Sequence, residues 1–396
     1  MKKVLVVDDS ALMRKLVMGV LREGGYEVQS ARNGAEAVQM VVQWQPDVVT
    51  LDINMPEMDG LTALSLLMEA RPTPVVMFSS LTEKGALATF EALALGAVDF
   101  IPKPGGTISL QLDEIAGLLL DKVRSASRAR VGGLRRTAAT RIKPMSPAAS
   151  PTAAPAAWAS RSGSNTASNT ASNGAGSAAP VAVESPLGRV PASSLAGAPG
   201  GLVLIGVSTG GPRTLEDVLP HLPADLPWPV LVAQHMPSNF TDTFARRMNT
   251  LCPLTVVEAG TPMPLTPGHI YIGRGGTDMV VSDRGGKLYV APRPEKSDHL
   301  WHPSVQLMVE TAMQHMPADR LVGVMLTGMG NDGAAAMTRL RKAGGRTIAE
   351  SSETAVVFGM PQELIEQGGA MLTLPCHRIA AQLRAWVQRK PSTLVA

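Results

Sequence analysis

Ser208 lies in the run Gly206-Val207-Ser208-Thr209-Gly210-Gly211-Pro212, after the apolar stretch Leu202 to Val207 and before a helical pattern. A hydroxyl on such a strand-to-helix turn is exposed at a sheet edge, and the helix N-terminus beside it favours developing negative charge. The run fits Gly-x-Ser-x-Gly, but it also suits a phosphate-cradling loop of a nucleotide-binding sheet. That rival expects an acid ending the next strand, near a ribose. Here Val230-Leu231-Val232-Ala233 is followed by Gln234-His235 instead. An imidazole at this position can serve as general base to the hydroxyl. A third apolar strand leads into Leu326-Thr327-Gly328-Met329-Gly330-Asn331-Asp332-Gly333. Asp332 is then either an ordinary cap where a helix begins or the acid that orients the imidazole. The glycines let backbone N–H groups approach a ligand closely, so the N–H of Met329 is a candidate oxyanion donor, with Thr209 a positioning residue beside the nucleophile. The order Ser, His, Asp differs from that of α/β-hydrolases, but the same constellation arises on unrelated folds.

A second group is acidic. Asp8 and Asp9 follow the apolar run Val4 to Val7, and Asp52 follows Val48 to Leu51. In a parallel sheet these strand ends converge, and three unpaired carboxylates call for a hard cation; oxygen ligands with room for water favour Mg²⁺. Asp52 could accept a phosphoryl group as an acyl phosphate while the metal neutralises its oxygens. Lys103, after Phe100-Ile101-Pro102, reaches the same edge. Ser79, ending Val75 to Phe78, offers a hydroxyl to the new phosphoryl oxygens. Asp298, His299 and His302 are a weaker metal candidate, with no evident fourth ligand. His221, His315 and His377 fit surface positions.

These residues need elements to position them. Strand and helix patterns alternate from Lys3 to about Val123, with Ala11 to Leu21 as a helix capped by Ser10. They alternate again from Gly201 to about Arg389. Strands are expected there at 202–207, 229–233, 254–258, 270–272, 322–327 and 346–349, and helices at 214–219, 240–251, 305–313 and 333–343. Such alternation predicts α/β domains built on parallel sheets, with ligands at the carboxyl ends of the strands. Between them Ala, Ser, Thr, Pro, Gly and Asn dominate, and Asn165-Thr166-Ala167-Ser168 repeats at once as Asn169-Thr170-Ala171-Ser172. That composition cannot form a core and reads as a disordered linker of roughly 70 residues, with an r.m.s. span of about 45 Å, which tethers without fixing geometry. The expected division is a domain at 1–122, a linker at 123–200, a domain at 201–389 and a tail at 390–396.

The chain has 396 residues, enough for two cores, and a net charge of only +3, which gives little support for a polyanionic partner. The linker is basic, with Arg124, Arg128, Arg130, Arg135, Arg136, Arg141, Lys143 and Arg161 and no acid between Asp121 and Glu184; it could touch nucleic acid or anionic lipid, or be a plain solvated tether. Two cysteines, Cys252 and Cys376, rule out a disulfide framework. No signal-peptide pattern opens the chain and no apolar run is long enough to span a bilayer, so a cytoplasmic location is expected.

The set Asp8-Asp9-Ser10, Leu51-Asp52 through Asp59-Gly60, Ser79 and Lys103-Pro104 resembles the response-regulator receiver domain over residues 1 to 122. The resemblance implies a flavodoxin-like sheet, phosphorylation of Asp52 by a histidine kinase, Mg²⁺ on Asp8 and Asp9, phosphate sensing by Ser79 and Lys103, and Phe100 at the place of a switch aromatic. Residues 201 to 389 are similar to the catalytic domain of chemotaxis protein-glutamate methylesterases. The match is carried by Ile205 to Pro212, Gln234-His235-Met236-Pro237, Phe240-Thr241, Phe244-Ala245, His302-Pro303-Ser304-Val305, Leu326 to Gly333 and Val357 to Pro361. A receiver joined to this domain is that family's own architecture. It implies a Ser208, His235, Asp332 triad needing no cofactor, hydrolysis of glutamyl methyl esters and deamidation of glutamines on methyl-accepting chemotaxis receptors, and a receiver lying over the active site until phosphorylated. Gly273-Arg274, Asp278 and Gln306 depart from the family's usual residues. A monomer is expected, with no nucleic-acid partner and no membrane insertion. Two other classes remain: a non-catalytic regulator whose second domain only binds a partner, and a DNA-binding regulator using the basic linker, although no helix-turn-helix pattern is present.

Overall fold

The computed structural model describes residues 1–80, 82–103, 112–130, 199–295 and 298–388. The first domain runs β1 (Lys3–Val7), α1 (Ala11–Glu23), β2 (Glu27–Ala31), α2 (Gly34–Trp44), β3 (Val48–Asp52), α3 (Gly60–Ala70), β4 (Val75–Ser79), α4 (Glu83–Leu95), β5 (Asp99–Pro102) and α5 (Leu112–Ala126). Its five strands are parallel in the order β2-β1-β3-β4-β5. β3 and β4 are buried along their whole length, as expected of strands with helices on both faces. Side chains of Ser10, Asn33, Asp59 and Thr82 cap the four helices that follow them, so short polar residues set where each helix begins. The last helix passes the expected boundary at 122 and ends at Ala126, because Val123 and Ala126, three residues apart, both lie in the core. The expected linker from 131 to 198 and the tail at 390–396 lie outside the described residues.

The second domain runs β6 (Leu202–Val207), α6 (Gly211–Val218), β7 (Val230–Gln234), α7 (Ser238–Leu251), β8 (Thr255–Ala259), β9 (Met263–Pro264), β10 (His269–Gly273), β11 (Thr277–Arg284), β12 (Lys287–Pro294), α8 (Val305–His315), β13 (Leu321–Met325), α9 (Ala334–Lys342), β14 (Arg346–Glu350), α10 (Gly359–Glu366), β15 (Leu372–Leu374) and α11 (Cys376–Val387). Seven strands make a parallel sheet in the order β15-β14-β13-β6-β7-β10-β8. β6 lies at its middle, flanked by β13 and β7, so chain order reverses there, the place where open α/β sheets bind ligands. The antiparallel hairpin β11–β12, with β9 on its edge, is an element the parallel reading does not predict. Its two-residue turn is Gly285-Gly286, both at positive φ, and it rests on α8 through Val281 N–H, which donates to Thr311 Oγ1.

The domains are packed together. Phe90 of α4 meets Phe244 of α7 at a ring separation of 5.4 Å, and Phe100 of β5 meets Phe240 at 4.4 Å. An exposed ion pair joins Glu83 to Arg246 at 3.0 Å, and Arg130 donates from its backbone N–H to the Val356 carbonyl and from its guanidinium to the Ser352 carbonyl. A free tether would leave geometry open; buried aromatic surface fixes it instead. Among the described residues no helix is long and apolar enough to cross a membrane.

Candidate active site and phosphoacceptor site

The adjacent strands β13, β6 and β7 deliver Asp332, Ser208 and His235 to one edge of the sheet. The six residues of β6 are fully buried, and the chain then turns sharply at Ser208. Gly210 takes the left-handed conformation at φ 79°, and a Cβ there would come within 2.5 Å of Val356. The turn is held from both sides: Ser208 N–H donates to the Thr327 carbonyl at 2.9 Å, and the Ser208 carbonyl accepts from Gly211 N–H at 2.8 Å and Gln234 Nε2 at 3.1 Å.

His235 Nε2 lies 2.9 Å from Asp332 Oδ2, while His235 Nδ1 is buried with no hydrogen-bond partner. With Nε2 committed to the acid, Nδ1 is the nitrogen free to take a proton. The imidazole stacks on Trp301, with ring centroids 5.7 Å apart and planes 4° from parallel. Asp332 does not cap the helix after it, whose cap is Gly333. Its carboxylate reaches across to α8, accepting from Val305 N–H at 2.7 Å, Gln306 N–H at 3.0 Å and Ser304 Oγ at 3.2 Å. Burial pushes its pKa up, but the hydrogen bond and charge of His235 and the two α8 amides outweigh that, and the net shift is downward. Asp332 therefore stays ionised, on the positive end of a helix, and fixes the imidazole tautomer.

The loop after β13 crosses directly over the hydroxyl. A Cβ at Gly328 would lie 2.8 Å from Ser208 Cβ, so only glycine allows the approach. Gly328 is pinned by its N–H to the Val357 carbonyl at 2.9 Å and by its carbonyl to Met360 N–H at 2.8 Å. Among the described residues neither Met329 N–H nor Thr209 N–H has a hydrogen-bond partner. A cleft of about 490 Å³ opens at this point. Ser208, His235, Trp301 and Met329 line one side; Phe100, Pro102 and Lys122 of the first domain line the other.

Trp301, Gln234 and Thr327 are site residues to which the sequence assigns no role. Gln234 and Thr327 lie inside the runs that carry the resemblance, and Trp301 is a large aromatic one residue before His302-Pro303-Ser304. The suggested cluster of Asp298, His299 and His302 does not form a metal site: His302 Nδ1 is bonded to Asp278 Oδ1 at 2.9 Å. Asp278 is fully buried and also accepts from Ser304 N–H at 3.1 Å, so it supports the segment entering α8.

In the first domain, β1 pairs with β3 in a register that sets Val7 beside Leu51 and so brings the acids after them together. Oxygens of Asp8, Asp9 and Asp52 lie within 4.8 Å of one another, an all-oxygen set that fits Mg²⁺. Lys103 Nζ sits 2.7 Å from Asp52 Oδ2 and 3.0 Å from Asp8 Oδ2, which shows the place suits a cation. Burial raises the Asp52 pKa and the Asp8 charge adds to it; Lys103 and the Asn54 N–H oppose the rise without cancelling it. Ser79 is turned elsewhere, its hydroxyl bonded to the Gly85 carbonyl at 3.0 Å and to Thr89 Oγ1 at 2.6 Å. Phe100 faces the second domain rather than the acids.

A family model described as CheB methylesterase matches residues 203–383, and one described as response regulator receiver domain matches residues 4–112. A protein-glutamate methylesterase/protein-glutamine glutaminase of Rhodospirillum rubrum is 52% identical, the alignment covering 100% of this chain and 98% of that protein. One of Rhodopseudomonas palustris is 50% identical, covering 98% of each. Among solved structures, the CheB methylesterase catalytic domain of Thermotoga maritima is 37% identical, covers 48% of this chain and 99% of its own, and has a TM-score of 0.46.

Proposed function

The chain belongs to the family of CheB methylesterases joined to a response regulator receiver domain, and from that premise we infer that Ser208, His235 and Asp332 carry out its hydrolysis of glutamyl methyl esters. The observation that carries this assignment is the Asp332–His235 pair, 2.9 Å long, which leaves one imidazole nitrogen unbonded in the cleft that holds Ser208. Ser208 Oγ attacks the ester carbonyl carbon and passes its proton to His235 Nδ1. The oxyanion is received by the N–H groups of Met329 and Thr209. The tetrahedral intermediate collapses, His235 returns the proton to the departing methanol, and an acyl-serine remains. Water, deprotonated by His235, then releases the glutamate. A glutamine enters the same sequence with ammonia as leaving group, which is the glutaminase activity.

Receiver phosphorylation controls this activity. Asp52 is the phosphoryl acceptor, with a histidine kinase as donor; Asp8, Asp9 and Asp52 would hold Mg²⁺, which when bound neutralises the incoming phosphoryl oxygens. Lys103 then follows the phosphate charge, and Ser79 leaves Gly85 to donate to a phosphoryl oxygen. Phe100 transmits the change, since it contacts Phe240 and walls the cleft. Substrates are the cytoplasmic helices of methyl-accepting receptors, so the protein works in the cytoplasm.

Methanol release from methylated receptors tests the triad: Ser208→Ala falls to background. A variant with wild-type activity would overturn the assignment. Labelling of Ser208 by a serine-directed phosphonate separates an enzyme from a binding-only regulator.

A further inference from the structure

Glu350 is a fully buried carboxylate beneath the active site, and neither catalysis nor phosphorylation as described uses it. We propose that Glu350 is a positioning residue for ester hydrolysis, which through Thr327 holds the Ser208 turn and the oxyanion loop in register with each other. The inference rests on Ser208 being the nucleophile.

Glu350 ends β14, beside β13. Its Oε2 accepts from Thr327 N–H at 2.8 Å and its Oε1 from Thr354 Oγ1 at 2.8 Å. Thr327 in turn bonds to each part of the site whose placement matters. Its carbonyl accepts from Ser208 N–H at 2.9 Å, and its hydroxyl donates to the Thr209 carbonyl at 2.9 Å and accepts from Val357 N–H at 2.9 Å. The Val357 carbonyl holds Gly328 N–H, one residue before Met329. One carboxylate thus anchors the residue that ties the nucleophile turn to the peptide bearing the oxyanion donor.

Two donors point at Glu350, and an ionised carboxylate is the group that only accepts. A protonated acid puts a donor among them and weakens one bond. Burial pushes the Glu350 pKa up to about 7, and the charge of Asp217 adds to the rise. The other titratable neighbour, the Cys376 thiol, is itself pushed up to about 11 and stays neutral. Register in the site therefore loosens as pH falls through neutrality.

The test is kcat and KM for methylated receptors, measured from pH 5.5 to 9 on the phosphorylated full chain carrying Glu350→Ala or Glu350→Gln. Misplacing reacting groups slows chemistry by roughly ten- to a hundredfold, the loss in kcat expected for alanine with KM unchanged. Glutamine keeps an acceptor for Thr327 and should retain kcat within about fivefold of wild type at pH 8. Its acid limb should lose the step that Glu350 contributes, where wild type falls more steeply. A folded alanine variant with kcat within twofold of wild type, or with a loss only in KM, would overturn the proposal. So would a glutamine variant keeping the steeper limb, and that profile alone decides if alanine does not fold. Activity in Ser208→Ala would instead sink the triad, a separate failure.

Discussion

The ring of Phe100, in the receiver's last strand, rests 4.4 Å from the ring of Phe240, in the helix that follows His235. Phe100 also walls the cleft opposite Ser208, so one side chain touches both the catalytic domain and the substrate space. An aromatic pair adds about 0.5–1.5 kcal/mol beyond its buried area, equivalent to roughly two- to tenfold in an equilibrium. Phe100→Ala should therefore raise methanol release by unphosphorylated protein two- to tenfold and leave the phosphorylated rate near wild type. An unchanged basal rate would show that this contact does not hold the closed arrangement.

The carboxylate that orients His235 is the next point of leverage. Asp332→Asn keeps the shape and the bonds to α8 in part, but an amide can present its N–H to Nε2 and stabilise the wrong tautomer. Loss of the orienting acid in a serine protease lowers kcat on the order of 10⁴-fold, and a fall of that order is expected here. Single-turnover methanol release measures it, with circular dichroism to confirm folding. A fall below tenfold would mean that Asp332 serves α8 and not the imidazole.

Much of this site was legible because strand ends announce themselves. Apolar runs ending at Val7, Leu51, Val207, Ala233 and Leu326 place Asp8, Asp52, Ser208, His235 and the Asp332 loop on sheet edges from sequence alone, and the edges converge as parallel pairing requires. Asp332 is readable as the acid beside His235 but not as an acceptor for the α8 amides, since that helix starts 27 residues earlier. The hairpin at 277–294 carried its signal in Gly285-Gly286 between apolar stretches, but the regular βα rhythm on either side masked it. Ser79 follows its strand as expected, while its rotamer is set by Gly85 and Thr89 on the next helix, which no local pattern encodes. Glu350 was silent for the same reason: an acid ending a strand is commonplace, and its neighbours Thr327 and Thr354 come from two other segments.

The acidic edge of the receiver makes a prediction about metal. Oxygens of Asp8, Asp9 and Asp52 converge within 4.8 Å, with Lys103 already supplying one positive charge. Mg²⁺ should raise the receiver's melting temperature in proportion to the logarithm of its concentration, and Asp9→Asn should flatten that dependence. Chelation with EDTA should block phosphorylation of Asp52 by an acyl-phosphate donor and hold esterase activity at its basal rate. Full activation in EDTA would remove the metal from the account.

Glu350 also ties stability to pH, with a sign opposite to that of an ordinary salt-bridged acid. Its folded pKa is raised from 4.5 to about 7, so the native state binds this proton more tightly than the unfolded chain does. Below 4.5 both states are protonated and the group costs nothing. Between 4.5 and about 7 the unfolded chain ionises first, and native stability falls as pH rises. Above 7 the penalty is complete, on the order of 3 kcal/mol. Glutamine carries no charge in either state, so Glu350→Gln should melt several degrees above wild type at pH 8 and close to it at pH 5. Thermal scans of the two proteins across this range measure the gap directly. A gap of constant size would place the titration of Glu350 outside the neutral range, and the steep acid limb expected of wild-type kcat would then need another source.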